Sequence, residues 1–343
     1  MSYSLKRRKW NNKMSIEKRI ELIKQIEDFQ RSKVICYVTG DRAPFTTQIA
    51  DDAIRVIRRH LDSIGINKRI SLFLYSRGGD MVAPLRIVRL IREHCEVFNV
   101  LIPYRAHSAA TSIALGADEI VMGKSGELSP VDPTTVHPFN PQDPNNPQQR
   151  IPISVEDVTS YLFLAKEKAG IRDEQMVSVF NELANKINPL ALGNIYRTYR
   201  MARSLTEKLL GLHMDIHKEK NKIETIVQNL TEKLCIHGYL ISRTEAEKEI
   251  GLNIIKPDEK LETLMWALYE GYEEEMKLNQ PFVPLEILKD EGVKTFSYYG
   301  SYIESAYGSD GFLFKAEIKR IEPAPGQIQA TVNIKPIGWC RIN

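Results

Sequence analysis

Long apolar runs, paired cysteines and an excess charge of one sign are all missing from this chain. None of its 343 residues lies in an apolar run of 18 or more, so no segment qualifies as a membrane-spanning helix. The basic N-terminus (Lys6, Arg7, Arg8, Lys9, Lys13) has no apolar core behind it and does not read as a secretory signal. Four cysteines (Cys36, Cys95, Cys235, Cys340) stand without paired spacing, which argues against a disulfide framework or a zinc site. Reduced thiols and a cytoplasmic location are the expectation. A formal charge of +3 is too small to call for nucleic acid or an acidic membrane as partner. The one Gly-rich turn, Gly78-Gly79, lacks the G-x-G-x-x-G pattern of a dinucleotide site. His213 and His217 have metal-ligand spacing on an expected helix, but no Glu follows His213 and no third ligand is evident. No metal and no cofactor are expected.

What is present is a globular α/β pattern. Hydrophobic residues make up 43% and charged residues 27%, ordinary for a packed core. Apolar residues at helical spacing predict a helix over 15–32, with Ser15 as its cap. Val34 to Val38 reads as the first core strand, and Thr46 to Ile64 as a helix. Strands at 71–75 and 97–102 alternate with helices at 81–94 and 109–116, and Ile120-Val121-Met122 fits a further strand. That βαβα alternation predicts a mainly parallel sheet. Residues 130–152 hold seven of the seventeen prolines and read as a long loop. Helices follow at 154–169, 172–186, 188–219 and 221–235. Segments 311–321 and 327–337 alternate enough to form a hairpin. The expected division is a helical arm over 1–32, a main domain over 33–290, and a small β-rich appendage over 291–343.

The stretch from Ser71 to Gly123 carries the chemistry. An apolar strand runs into Ser76-Arg77-Gly78-Gly79-Asp80, and the next strand runs into Ala106-His107-Ser108-Ala109-Ala110. Two glycines without Cβ let the backbone turn sharply and approach a substrate carbonyl. Ser108 stands where strand becomes helix, beside N–H groups that lack an internal partner and carry the positive end of the helix dipole. A hydroxyl there can attack a carbonyl while the Ala109 N–H and one from Gly78-Gly79 hold the oxyanion. Either motif alone also reads as an ordinary turn or an ordinary N-cap serine.

Together, in this order, the motifs resemble the Clp/crotonase superfamily. Ser108 to Gly123, ending Ala117-Asp118-Glu119-Ile120-Val121, is similar to the nucleophile segment of signal peptide peptidase A. Tyr239 to Ala246 and Ile250-Gly251-Leu252 are similar to the superfamily's late segment, with Thr244 placed to start a helix. Leu205-Thr206-Glu207-Lys208-Leu209 and Leu264 to Tyr269 point to the SDH family of Clp-fold serine proteinases. The resemblance implies a Clp/crotonase-like core with a mainly parallel sheet and a helical extension. It also implies serine peptidase activity on peptides or unfolded protein, and a homo-oligomer.

The resemblance leaves the base of the serine open. Signal peptide peptidases use a later lysine, yet no lysine occurs between Lys124 and Lys166. Clp subunits use a His where this chain has the neighbourhood of Asp132. His237 lies close to where those subunits keep their Asp, and its imidazole titrates in the useful range. The expected assignment is Ser108 as nucleophile, His237 as base and Asp132 orienting it. Gly78, Gly79 and Ala109 supply the oxyanion hole, and Lys166 and Lys208 are outside candidates for the base. His107 reads as facing the other side of the strand end. Two other readings remain open: an inactive Clp-fold scaffold or peptide-binding module, and a crotonase-type acyl-CoA enzyme in which no serine is needed.

Overall fold

Continuous burial along the central strands goes with a sheet that carries helices on both faces. The computed structural model describes residues 14–131, 134, 135, 137–233, 238–324 and 326–342. Helix α1 (Ile16–Gln30) starts as expected at Ser15, whose Oγ accepts the Lys18 N–H at 3.4 Å. Strand β1 (Lys33–Thr39) follows, and its unbroken apolar run is buried on both faces. Helix α2 (Ala53–Ile64) begins at Ala53 rather than at Thr46. The Ile49 N–H donates to Gly78 O at 2.9 Å, and the Asp80 N–H donates to Ile49 O at 2.8 Å. Those two bonds hold the segment extended against the glycine turn, and tertiary pairing overrides the local helical spacing.

The expected alternation continues through β2 (Asn67–Tyr75), α3 (Ala83–Arg92), β3 (Cys95–Ile102), α4 (Ala109–Leu115) and β5 (Glu119–Met122), with two unexpected short strands, β4 (Arg105–Ala106) before α4 and β6 (Glu127–Leu128) after β5. The proline-rich stretch is stitched by two short antiparallel pairs. Strand β7 (Thr134–Thr135) pairs with β10 (Ile153–Ser154), and β8 (Gln142–Asp143) pairs with β9 (Asn146–Arg150).

Helices α5 (Val155–Phe163), α6 (Met176–Lys186), α7 (Pro189–Leu210) and α8 (Lys220–Gln228) come next. Helix α7 stops at Leu210, short of the expected 219, so His213 and His217 share no helix face. His213 Nε2 instead lies 3.0 Å from Leu115 O, at the C-terminal end of α4. Strand β11 (Ile241–Ser242) leads into α9 (Arg243–Glu245), which Ser242 rather than Thr244 caps, accepting the Glu245 N–H at 3.3 Å. Strand β12 (Ile254–Ile255), α10 (Glu259–Glu275) and α11 (Pro284–Leu288) precede three long strands, β13 (Val293–Ser305), β14 (Gly308–Ala324) and β15 (Gln327–Ile342).

Eight strands make one sheet in the order β12-β5-β3-β2-β1-β13-β14-β15. The strands from β12 to β1 are parallel, and β13, β14 and β15 add on antiparallel. The C-terminal strands therefore continue the central sheet, joining β1 from Ile35↔Ser305 to Thr39↔Ser301. Successive residues of β2 face opposite layers. Leu72 and Leu74 pack with α2, α3, α4 and α7, while Phe73 and Tyr75 pack with α1 and α10. Each such fully buried side chain stabilises the fold by about 1.5–3 kcal/mol. Arg19 anchors α1 to β13, with Nε and Nη2 at 3.0 and 2.7 Å from the buried Glu304 carboxylate. A separate three-stranded sheet, β11-β6-β4, lies beyond the C-terminal ends of β2 and β3, where the site forms.

Candidate active site

Ser108 is not an ordinary N-cap. Its backbone sits at φ 51°, ψ −112°, a region L-residues rarely adopt, and its side chain makes no capping bond. Strain of this kind costs on the order of 1–3 kcal/mol and persists only where the surroundings enforce it. The surroundings here are specific. The Ser108 N–H donates to Ser129 Oγ at 2.8 Å, and the Ser112 N–H donates to Ser108 O at 2.9 Å. Thr111 Oγ1 lies 2.8 Å from Ala106 O and accepts the Ser129 N–H at 3.1 Å. Helix α4 itself is wholly buried. Its small residues allow close packing, and at Gly116, which ends it, an added Cβ would fall 2.7 Å from Val88 Cγ1. The Ser108 hydroxyl has no hydrogen-bond partner among the described residues.

The glycine turn lies directly beside it. A Cβ on Gly78 would sit 2.9 Å from Ser108 Cβ and 3.4 Å from its Oγ. A Cβ on Gly79, where φ is 154°, would sit 2.1 Å from Ile49 O. Both positions need glycine, one for the serine's approach and one for the Ile49 strand. The Gly78 N–H is committed to Ser76 Oγ at 3.0 Å. Among the described residues the N–H groups of Gly79 and Ala109 have no acceptor. The expected set of Gly78, Gly79 and Ala109 therefore contains two free donors, from Gly79 and Ala109.

A matching family model covers residues 2–189, and its description is ClpP-like SDH-type serine proteinase. The chain belongs to that family. MJ0137, an uncharacterised protein of Methanocaldococcus jannaschii, is 23% identical over 284 residues, covering 80% of this chain and 86% of that protein. MJ1495 of the same organism, also uncharacterised, is 30% identical over 128 residues, covering 34% of this chain and 42% of that protein. Two similar solved structures are ClpP1 from Listeria monocytogenes and the ClpP protease catalytic domain from Plasmodium falciparum. The first has a TM-score of 0.35 and 15% identity, covering 69% of this chain and 97% of that one. The second has a TM-score of 0.33 and 12% identity, covering 72% and 94%. Family membership rests on the sequence match.

Within this serine proteinase family member, the groups considered as base are spread widely. His237 and Asp132 lie outside the described residues. Lys166 is exposed and pairs with Asp173 at 2.8 Å. Lys208 is exposed on α7, and its neighbour Leu209 packs against Gly116, at the opposite end of α4 from Ser108. His107 Nε2 stands 3.2 Å from Glu127 Oε1. Burial holds the His107 imidazole below its usual range, and Arg77 and Arg105 add to that effect while Glu127 opposes it. The described residues on either side of His237 and Asp132 do come together. Ile241 pairs with Leu128, Leu128 pairs with Ala106, and the Val131 N–H donates to Leu230 O at 2.9 Å.

Four supporting residues escaped sequence reasoning: Ser76, Thr111, Ser129 and Ile49. Only the Ser flanking the glycine pair carried a local signal, since a hydroxyl two residues before a turn can bond the turn's backbone.

Proposed function

We propose that this chain is a serine peptidase acting on peptides or unfolded segments, with Ser108 as nucleophile. The observation that carries the reading is the Ser108 elbow: a strained residue with an uncommitted hydroxyl, beside the uncommitted N–H groups of Gly79 and Ala109. In the proposed reaction Ser108 Oγ gives its proton to the base and bonds to the scissile carbonyl carbon. The carbonyl oxygen becomes an oxyanion held by the two N–H groups. Collapse breaks the C–N bond, the base returns the proton to the leaving amine, and water then hydrolyses the acyl-enzyme ester.

His237 is the proposed base, with Asp132 orienting it. Ile241 lies four residues from His237, within about 14 Å of chain reach, and its partner Leu128 precedes Ser129, which bonds the Ser108 backbone. The proposal includes a cytoplasmic homo-oligomer. Exposed Phe163, Leu164, Val177, Phe180, Leu190 and Tyr196 on the helical extension favour self-association, which sedimentation velocity tests. Turnover is tested with an unfolded casein-type substrate. Wild type is expected to cleave it and Ser108→Ala to leave it intact; equal cleavage by both rejects Ser108 as nucleophile.

A second reading has an observation of its own. No lysine occurs between Lys124 and Lys166, where the signal peptide peptidase pattern would place its base, which favours an inactive peptide-binding scaffold. That reading expects peptide binding without turnover, and Ser108-dependent cleavage eliminates it.

A further inference from the structure

Gly78 and Gly79 share one peptide plane, and its orientation decides whether the turn can act. In a trans peptide the C=O of Gly78 and the N–H of Gly79 point in opposite directions. Whatever fixes the Gly78 carbonyl therefore aims the Gly79 N–H. Two donors fix it: the Ile49 N–H at 2.9 Å and the Ser76 hydroxyl at 3.3 Å. Ser76 Oγ also accepts the Gly78 N–H at 3.0 Å and the Thr39 hydroxyl at 2.7 Å. One donated and two accepted bonds exhaust a serine hydroxyl. Ser76 is fully buried and Thr39 is 1% exposed, so water cannot replace either partner.

The Ser76 backbone faces the other half of the site. Its N–H donates to Arg105 O at 2.9 Å, and its carbonyl accepts the His107 N–H at 3.0 Å. These bonds tie it to the strand that delivers Ser108. One residue thus holds the oxyanion turn with its side chain and the nucleophile's strand with its backbone. A Gly-Gly unit is the peptide plane that rotates with least steric resistance, having no Cβ on either side. Such a plane needs a lock if its N–H is to be preorganised.

We propose that Ser76, backed by Thr39, is a positioning residue that locks the Gly78–Gly79 peptide with the Gly79 N–H directed to the oxyanion. The inference rests on the serine-peptidase reading for its kinetic consequence, but not for its geometric one.

Amide exchange on ¹⁵N-glycine-labelled protein tests the geometry without any turnover. Wild type should show a slowly exchanging Gly78 amide and a fast Gly79 amide; Ser76→Ala should release Gly78 and, with the glycines also ¹³C-labelled, shift the Gly78 carbonyl resonance, because that carbonyl loses one of its two donors. Equal protection of the two amides in wild type, or an unchanged Gly78 in Ser76→Ala, overturns the proposal. Kinetics then test the consequence. Ser76→Ala should lower kcat roughly 100-fold, the scale of one lost oxyanion donor, with KM nearly unchanged. Thr39→Val should have a much smaller effect, and Ser76→Thr, which keeps the hydroxyl, should recover most of kcat. A Ser76→Ala protein with a lower Tm but wild-type kcat per folded molecule assigns Ser76 a structural role only and overturns the proposal. Should Ser76→Ala not fold, the other two variants still decide it: Ser76→Thr must keep both Gly78 protection and kcat, and any loss of Gly78 protection in Thr39→Val must come with a matching loss of kcat. A wild type without Ser108-dependent turnover defeats the peptidase reading, while the exchange pattern still decides the lock.

Discussion

Two serines in this molecule sit in opposite circumstances. Ser305 has what Ser108 lacks among the described residues: a histidine and an aspartate in series. Its Oγ lies 2.8 Å from His60 Nδ1, and His60 Nε2 lies 3.0 Å from Asp310 Oδ2. A carboxylate only accepts, so the tautomer that satisfies both bonds carries its proton on Nε2. By composition this is a Ser-His-Asp chain. It is nevertheless fully buried at all three positions to within 1% exposure, and Ser305 Oγ already accepts the Tyr307 N–H at 3.2 Å. Asp310 also accepts from Arg59 at 2.7 Å and Arg341 at 2.8 Å. Its burial keeps substrate away from it. Ser108 has the complementary features: partial exposure, strain and, among the described residues, an uncommitted hydroxyl and two free N–H groups. The lesson is that an acyl-transfer site is recognised by space and oxyanion donors as much as by the residues of a triad. The Ser305 chain ties α2 to the β13–β14 hairpin instead.

The contrast breaks in an orderly way under substitution. The largest effect belongs to Gly79→Ala. The added methyl falls 2.1 Å from Ile49 O, so the turn must shift. Turnover is expected to drop by 10³-fold or more, on the order of losing an oxyanion donor outright, as measured by steady-state hydrolysis. His237→Gln comes next, with a loss of about 10²–10⁴ in kcat, the range of general-base effects. Wild-type activity should also fall as pH drops through the range where an imidazole protonates, because a protonated imidazole accepts no proton. A flat pH–rate profile between 5 and 8 removes His237 from the role.

Asp310→Ala tests the other serine's network. It leaves His60 without its acceptor and should cost about 3 kcal/mol in urea unfolding, with kcat per folded molecule unchanged. The half-exposed Arg59 and Arg341 contribute little of that because water screens them. A smaller effect is the pH dependence of stability. Burial holds His60 below its ordinary 6.5 despite the pull of Asp310, and burial acts in the same direction on His107 and His213. The unfolded chain binds protons near that pH that the folded chain refuses. Stability is therefore fully present above about pH 6.5 and declines as pH falls below it. Urea midpoints at pH 7.5 and 5.5 measure this, and a higher midpoint at 5.5 contradicts it.

How much of this was legible follows from sequence distance. The Ser108 elbow and the glycine turn are local features, each marked by small residues at a strand end, and both stand where expected. The α1 cap at Ser15 was equally local. The failures are non-local. Ile49, Ala53, Ile54 and Ile57 have helical spacing, yet pairing with Gly78 and Asp80 pulls Ile49 into an extended segment. Ser129 supports Ser108 across 21 residues, and His60 meets Asp310 across 250. Nothing in a linear pattern marks such partners, because each looks locally like an ordinary polar surface residue. Segments 311–321 and 327–337 alternated visibly and lie in β14 and β15, but β13 carried no such signal, and that all three extend the central sheet depends on the pairing of β1 with β13.

The central claim is that Ser108, and not the better-furnished Ser305, is the nucleophile. Reacting the folded protein with a fluorophosphonate probe and mapping the adduct by peptide mass spectrometry tests this most directly. The account predicts one adduct, on the peptide containing Ser108, absent from Ser108→Ala and undiminished in Ser305→Ala. An adduct on Ser305, or labelling that survives Ser108→Ala, would contradict it.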